Sequence, residues 1–131
     1  MKWNETNYPR IGETVLRTTL PNGLTVAVVP KPLYRKRYAF FTTRYGGVST
    51  GQFSTLNLGT SRGDSMENVL RNYEILGAAV GFRPEDVVHT WQEHTDIILR
   101  VGKSDCGKGL FRNQPDVCDG LITNEPGVAL V

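Results

Sequence analysis

Cysteine, histidine and long apolar runs are all scarce in this 131-residue chain. The two cysteines, Cys106 and Cys118, lie twelve residues apart, without Cys-x-x-Cys spacing. No apolar run approaches transmembrane length, so no membrane-spanning helix is expected. Met1-Lys2-Trp3-Asn4 leads into polar residues rather than the apolar core of a signal peptide. A soluble cytoplasmic protein with reduced thiols follows as the expectation, since a Cys106–Cys118 disulfide needs an oxidising compartment. Net charge is only +2, so composition does not mark a nucleic-acid binder, and no nucleic-acid or membrane partner is expected. Internal repeats and low-complexity segments are absent.

What is present is the composition of one globular domain, or part of one, by length. A hydrophobic fraction of 39% is enough for a core that buries roughly two-thirds of the unfolded surface. Charge is uneven: Met1 to Arg44 holds eight Lys/Arg against two Glu, and the remainder seven against eleven acidic residues. Lys31, Arg35, Lys36 and Arg37 form the densest basic patch, read first as a solvated loop around Pro30 and Pro32 and second as an anion contact.

Along the chain, Val15–Leu20 and Leu24–Val29 flank Pro21-Asn22-Gly23, a hairpin signal. Tyr38–Thr43 reads as a further strand. Asp64-Ser65-Met66-Glu67 has capping-box spacing, with Asp64 as N-cap. Met66, Val69, Leu70, Tyr73, Leu76, Ala79 and Val80 then recur at helical spacing, and Gly81 is a fitting stop, so a helix is expected over about 65–80. Arg83-Pro84-Glu85-Asp86 opens a turn. Val87–Thr90, Ile97–Val101, Asp119–Thr123 and Val128–Val131 read as strands, and Gly102–Asp116 as a loop. A final strand of four apolar residues leaves an apolar edge unless it is paired, which suggests either a strand tucked into a sheet or the first part of a longer protein.

The stretch from Phe40 to Asp64 carries the strongest hint of a site. A short apolar run delivers Arg44 into a loop, Gly46-Gly47 allow close backbone approach, and Asn57 and a helix start follow. An Arg fork and exposed backbone N–H groups both suit phosphate. Asp64 is read as a helix cap in preference to a catalytic group. The two histidines, His89 and His94, are five residues apart and face opposite ways if the segment is extended, which disfavours a metal pair there. A zinc site needs three or four ligands, and no compact spacing of His94 with Cys106 or Cys118 supplies them.

At these residues the chain resembles a known family. Phe41-Thr42-Thr43-Arg44-Tyr45-Gly46-Gly47-Val48-Ser49, Leu56-Asn57-Leu58-Gly59, Gly63-Asp64, Asn72, Gln92-x-His94 and Asp119-Gly120-Leu121-Ile122-Thr123 occur in the order expected of the laccase-domain family, long labelled multicopper polyphenol oxidase. The resemblance covers roughly residues 40–131 and the N-terminal hairpin more loosely. It implies an α+β fold, a single laccase-like domain with mixed β-sheets and outer helices, of which residues 1–131 are the N-terminal portion, truncated on the C-terminal side. It implies zinc-dependent purine nucleoside phosphorylase activity with adenosine deaminase activity, on substrates of the adenosine, inosine and methylthioadenosine class. Its metal is held by a His, a Cys and a second His. The first corresponds to His94; the Cys of an Ala-Asp-Cys motif and the His of a His-x-Gly-Trp motif are expected beyond Val131, so this chain alone is expected to be inactive and to hold zinc weakly or not at all. Neither Cys106 nor Cys118 matches the ligand position. Within this resemblance Arg44 is the candidate contact for phosphate or a substrate hydroxyl, with Asn57 second; the partners are a purine nucleoside and phosphate. The alternatives are a Cys/His hydrolase on the same scaffold and a non-catalytic binding module. Blue-copper oxidase chemistry needs a Cys and paired His that the chain does not offer.

Overall fold

The computed structural model describes residues 10–11, 15–20, 23–28 and 39–131. The basic patch at 31–37, the two prolines beside it, Pro21-Asn22 and the first nine residues lie outside the described residues.

The N-terminal part is an antiparallel meander, β1 (Arg10–Ile11), β2 (Val15–Thr19), β3 (Thr25–Val28) and β4 (Phe40–Thr42), ordered β1-β2-β3-β4. The expected hairpin joins β2 to β3, with Thr19 opposite Thr25 and Thr18 opposite Val26. Its turn is closed by Leu20 N–H donating to Leu24 O at 2.7 Å and Gly23 N–H to Leu20 O at 2.8 Å. Gly23 has φ 86°, a left-handed conformation that a residue without Cβ adopts at no steric cost. Leu20, Leu24 and Val26 point inward and are buried, so the apolar side of the meander becomes one wall of the core.

The helix expected from periodicity is α1 (Met66–Val80). Its start corrects the sequence expectation: Ser65, not Asp64, is the N-cap, and its hydroxyl accepts Asn68 N–H at 3.2 Å. Asp64 sits one residue outside and uses its carboxylate elsewhere. Glu67 lies in the first turn, where its charge complements the helix dipole. At the other end Gly81 adopts φ 94° and donates to Gly77 O at 2.8 Å, the stop read from the sequence.

One face of α1 builds two adjoining apolar clusters. Leu76 packs with Leu20, Leu24, Val26 and Leu56; Val69 and Tyr73 pack with Val87 and Leu110. The Tyr73 hydroxyl donates to Leu58 O at 3.0 Å, and burial raises its pKa. The same face carries one polar member, the fully buried Asn72.

After a 3-10 turn at Pro84–Asp86 come β5 (Val87–Val88), β6 (Ile98–Arg100), β7 (Gly120–Ile122) and β8 (Ala129–Leu130). Each lies within a stretch read as a strand but is shorter. β5 pairs with β8 and β6 with β7, both parallel. The chain's last residue is tied in as well, with Val131 N–H to Val88 O at 3.0 Å and Thr90 N–H to Val131 O at 2.9 Å. Ile98 and Ile122 remain largely exposed. The loop between β6 and β7 is braced by Arg112, which donates to the carbonyls of Ser104 at 2.8 Å and Cys106 at 2.6 Å. Mixed helix and small sheets, antiparallel and parallel, give the expected α+β class. No described helix is long and apolar enough to cross a membrane.

Candidate functional site

The loop after β4 is zipped against residues 54–56. Arg44 O accepts the N–H groups of Thr55 and Leu56, each at 2.8 Å, and Ser49 N–H reaches Thr55 O at 2.9 Å. Gly46 and Gly47 do allow a close approach, but to the protein itself. A Cβ on Gly46 would overlap the Leu24 side chain, and one on Gly47 would overlap Thr55 O and Asn72 Oδ1. Their N–H groups donate to Thr55 Oγ1 at 2.9 and 3.3 Å, and Val48 N–H donates to Asn72 Oδ1 at 2.8 Å. The expectation that these glycines offer free N–H donors to an anion is therefore corrected: internal acceptors take them.

Asn72 is the centre of this construction. Besides Val48 N–H, it donates through Nδ2 to Ser49 Oγ at 2.9 Å and to Asn57 O at 2.8 Å. It thus ties α1 to both loops that follow β4. Asp64 is a second hub. It accepts from Ser49 Oγ at 2.6 Å, Asn57 Nδ2 at 3.1 Å, Asn68 Nδ2 at 3.2 Å and Ser65 N at 2.8 Å. The Ser49 hydroxyl, then Asn57, Asn68 and the Ser65 amide hold its carboxyl below the usual carboxylate range. An ionised acceptor with these partners suits bracing rather than acid catalysis. Asn57 shares the bracing: its Oδ1 accepts Gly59 N–H at 3.1 Å.

Arg44 and Asn57 nevertheless meet at one place. They line an open concavity of about 570 Å³ together with Gln52, Phe53, Ser54 and Arg62. The Arg44 Nε donates to Ser54 O at 2.9 Å, and its guanidinium carbon lies 5.9 Å from the Tyr45 ring centroid. That fixes the side chain while leaving the terminal Nη groups as donors. Sequence reasoning missed Arg62; only the fold brings it to the same concavity.

His94 lies elsewhere, at a turn built around Asp119. One carboxylate accepts Thr95 N–H at 2.9 Å and Glu93 N–H and His94 N–H at 3.1 Å each, with Thr95 Oγ1 at 3.0 Å. The Thr95 amide first, with Glu93, Thr95 Oγ1 and His94, holds the Asp119 pKa down. His94 has φ 59° and is the non-glycine residue with positive φ among the described residues. A left-handed backbone costs a residue with a Cβ roughly 1–2 kcal/mol. The segment is thus not extended through His94, and the exposed imidazole makes no hydrogen bond among the described residues. His89 is half-buried, its Nδ1 2.9 Å from Thr90 O and its Cβ against Gly109.

The described residues contain no group of three or more His, Cys, Asp or Glu placed to hold a metal ion. Cys118 is buried, and the Cys106 thiol, pushed up mainly by burial, lies 3.5 Å from Asp86 O. His94 is one donor where zinc takes three or four, so the described residues do not by themselves fit a zinc site.

With this geometry in hand, the chain can be set beside known proteins. The family model for multi-copper polyphenol oxidoreductase laccase matches residues 38–131. The purine nucleoside phosphorylase YlmD of Geobacillus stearothermophilus is 38% identical over 101 residues, 76% of this chain and 37% of that protein. A purine nucleoside phosphorylase of Bacteroides thetaiotaomicron is 34% identical over 93 residues, 70% of this chain and 34% of that protein. The crystal structure of the Geobacillus YlmD covers 94% of this chain and 42% of its own, with a TM-score of 0.65 and 31% identity. That of Bacillus licheniformis YfiH covers 95% and 43%, with a TM-score of 0.66 and 25% identity. The chain thus spans well under half the length of these relatives. The Arg44 loop, the Asp64 and Asn72 hubs and the His94 turn all fall inside the matched residues, and the chain belongs to the multi-copper polyphenol oxidoreductase laccase family.

Proposed function

We propose that residues 1–131 form the N-terminal portion of one laccase-like domain that acts as a zinc-dependent purine nucleoside phosphorylase with adenosine deaminase activity. Its substrates are purine nucleosides of the adenosine, inosine and methylthioadenosine class, with phosphate. Support comes from the relatives, which carry the name purine nucleoside phosphorylase, and from one observation above all. The exposed His94 is held in a left-handed backbone by three N–H groups converging on Asp119. Strained backbone clusters at functional sites, and a carboxylate that holds His94 in this conformation supports reading its side chain as presented for a ligand.

In this reading His94 is one zinc ligand, and a Cys and a second His come from sequence following Val131. Zinc so held would supply a bound water of lowered pKa, suited to deamination. The residues of this chain do the positioning. Arg44, fixed through Nε, turns its Nη donors to the phosphate; Asn57, Asp64 and Asn72 keep the two loops in register.

Arg44→Lys in the complete protein tests the assignment. Lysine keeps the charge and loses the planar fork. The kcat/KM for adenosine phosphorolysis is expected to fall by on the order of tenfold or more, about 1.4 kcal/mol of transition-state stabilisation, with zinc content unchanged. A variant that melts earlier but turns over at low temperature like the parent would make Arg44 a mere brace on Ser54 O.

A further inference from the structure

Arg62 is an exposed arginine whose head group has no partner among the described residues. It lies in Ser61-Arg62-Gly63, and Gly63, at φ 95°, turns the chain immediately after it. Its stem runs over Gly59: a Cβ there would lie 3.1 Å from Arg62 Cγ. The head group makes no hydrogen bond or ion pair among the described residues. Yet it lines the same concavity as Arg44, whose lining among the described residues contains two guanidinium groups and no carboxylate. The neighbouring carboxylate, Asp64, already accepts from Ser49, Asn57, Asn68 and Ser65. Two guanidinium groups lining one open hollow, with no carboxylate in its described lining, concentrate positive charge there, and an anion in the hollow is attracted to both. Arginine's fork also matches phosphate oxygens in pairs. Phe53 and Gln52 in the same lining offer an apolar surface and a further donor for whatever the phosphate carries.

We infer that Arg62 and Arg44 form a two-arginine clamp for a phosphate group, free or as a monoester, bound in this concavity. The inference deepens the phosphate reading of Arg44 by adding a second contact, and it requires neither zinc nor His94. Arg62 is the better probe of the two. It is exposed and carries no bond among the described residues, so its replacement should leave the fold intact.

The test is calorimetric titration of the complete protein with inorganic phosphate and, separately, with ribose 5-phosphate, in buffer of matched ionic strength. Saturable binding is expected for at least one of them, and the tighter of the two identifies the source of the phosphate. Arg62→Gln should weaken it about tenfold or more, Arg62→Lys less, and melting should not change. Arg44→Gln should weaken it comparably. Binding that is lost in Arg44→Gln but equal to the parent in Arg62→Gln would overturn the clamp while sparing the Arg44 reading. Binding indifferent to both variants, or no saturable binding of either phosphate, would overturn the clamp and the phosphate role of Arg44 together.

Discussion

Replacing Asn72 by alanine should be the most damaging single change in the chain's polar interior. Asn72 is fully buried and makes three hydrogen bonds, from Val48 N–H and to Ser49 Oγ and Asn57 O, at 2.8–2.9 Å. A typical bond contributes about 1 kcal/mol net, and a buried donor left unsatisfied costs about 1–3 kcal/mol. The truncation strands Val48 N–H and Asn57 O between α1 and the loops, so a loss of about 3–4 kcal/mol is expected. Urea unfolding followed by circular dichroism reads this directly. With a slope of roughly 1–3 kcal/mol per molar urea, the midpoint should fall by at least about 1 M. Asn72→Asp sharpens the test. It keeps an acceptor for Val48 N–H but sets a carboxylate against Asn57 O, so it should be nearly as harmful as alanine. Because both loops hang on this side chain, phosphate binding by the Arg44 concavity should weaken in parallel. A loss under about 1 kcal/mol for Asn72→Ala would mean that the loops hold their places without the helix, and the positioning argument would fail.

Two further outcomes follow from the same geometry. Ser65→Ala should destabilise α1 by about 1 kcal/mol, the usual cost of an N-cap, lowering the urea midpoint with the slope unchanged; a neutral result would return the cap to Asp64. Asp64 and Asp119 both have carboxyl groups held below their ordinary value, chiefly by the Ser49 hydroxyl and the Thr95 amide respectively. Their stabilisation is therefore present above the unfolded carboxylate pKa of about 3.9 and is lost as pH falls through the lower folded values. Asp119→Asn should accordingly melt below the parent at neutral pH and converge with it in acid; a gap that widens in acid would contradict the assigned direction.

Local signals were legible in the sequence where they rest on local chemistry. The hairpin at Gly23, the periodic face of α1 and the stop at Gly81 follow from turn residues and 3.6-residue spacing, and all appear in the structure. The choice between Asp64 and Ser65 as cap was not legible, because both side chains cap well. Tertiary bonds from Ser49, Asn57 and Asn68 draw Asp64 away and leave Ser65 to cap. The glycines of the Arg44 loop were legible as a close approach, but not its target: that Leu24, Thr55 and Asn72 fill the space depends on how the meander meets the helix. Arg62 was invisible for the same reason, since sharing a concavity with Arg44 is a property of the fold. The Asp119 brace lies 25 residues from His94, beyond the reach of any motif spacing. Parallel pairing of β5 with β8 and β6 with β7 was equally out of reach, since short apolar runs do not encode their partners.

If His94 is presented for metal-dependent nucleoside chemistry, metal and turnover must depend on it together. One paired measurement on the complete protein reads both: zinc content and phosphate-dependent release of adenine from adenosine, for the parent and for His94→Ala. The parent should carry zinc and release adenine only when phosphate is present, and the variant should lose both while keeping the parent's circular dichroism spectrum. A variant that keeps full zinc and full turnover would exclude His94 as a zinc ligand, and a parent that leaves adenosine untouched would exclude the nucleoside chemistry.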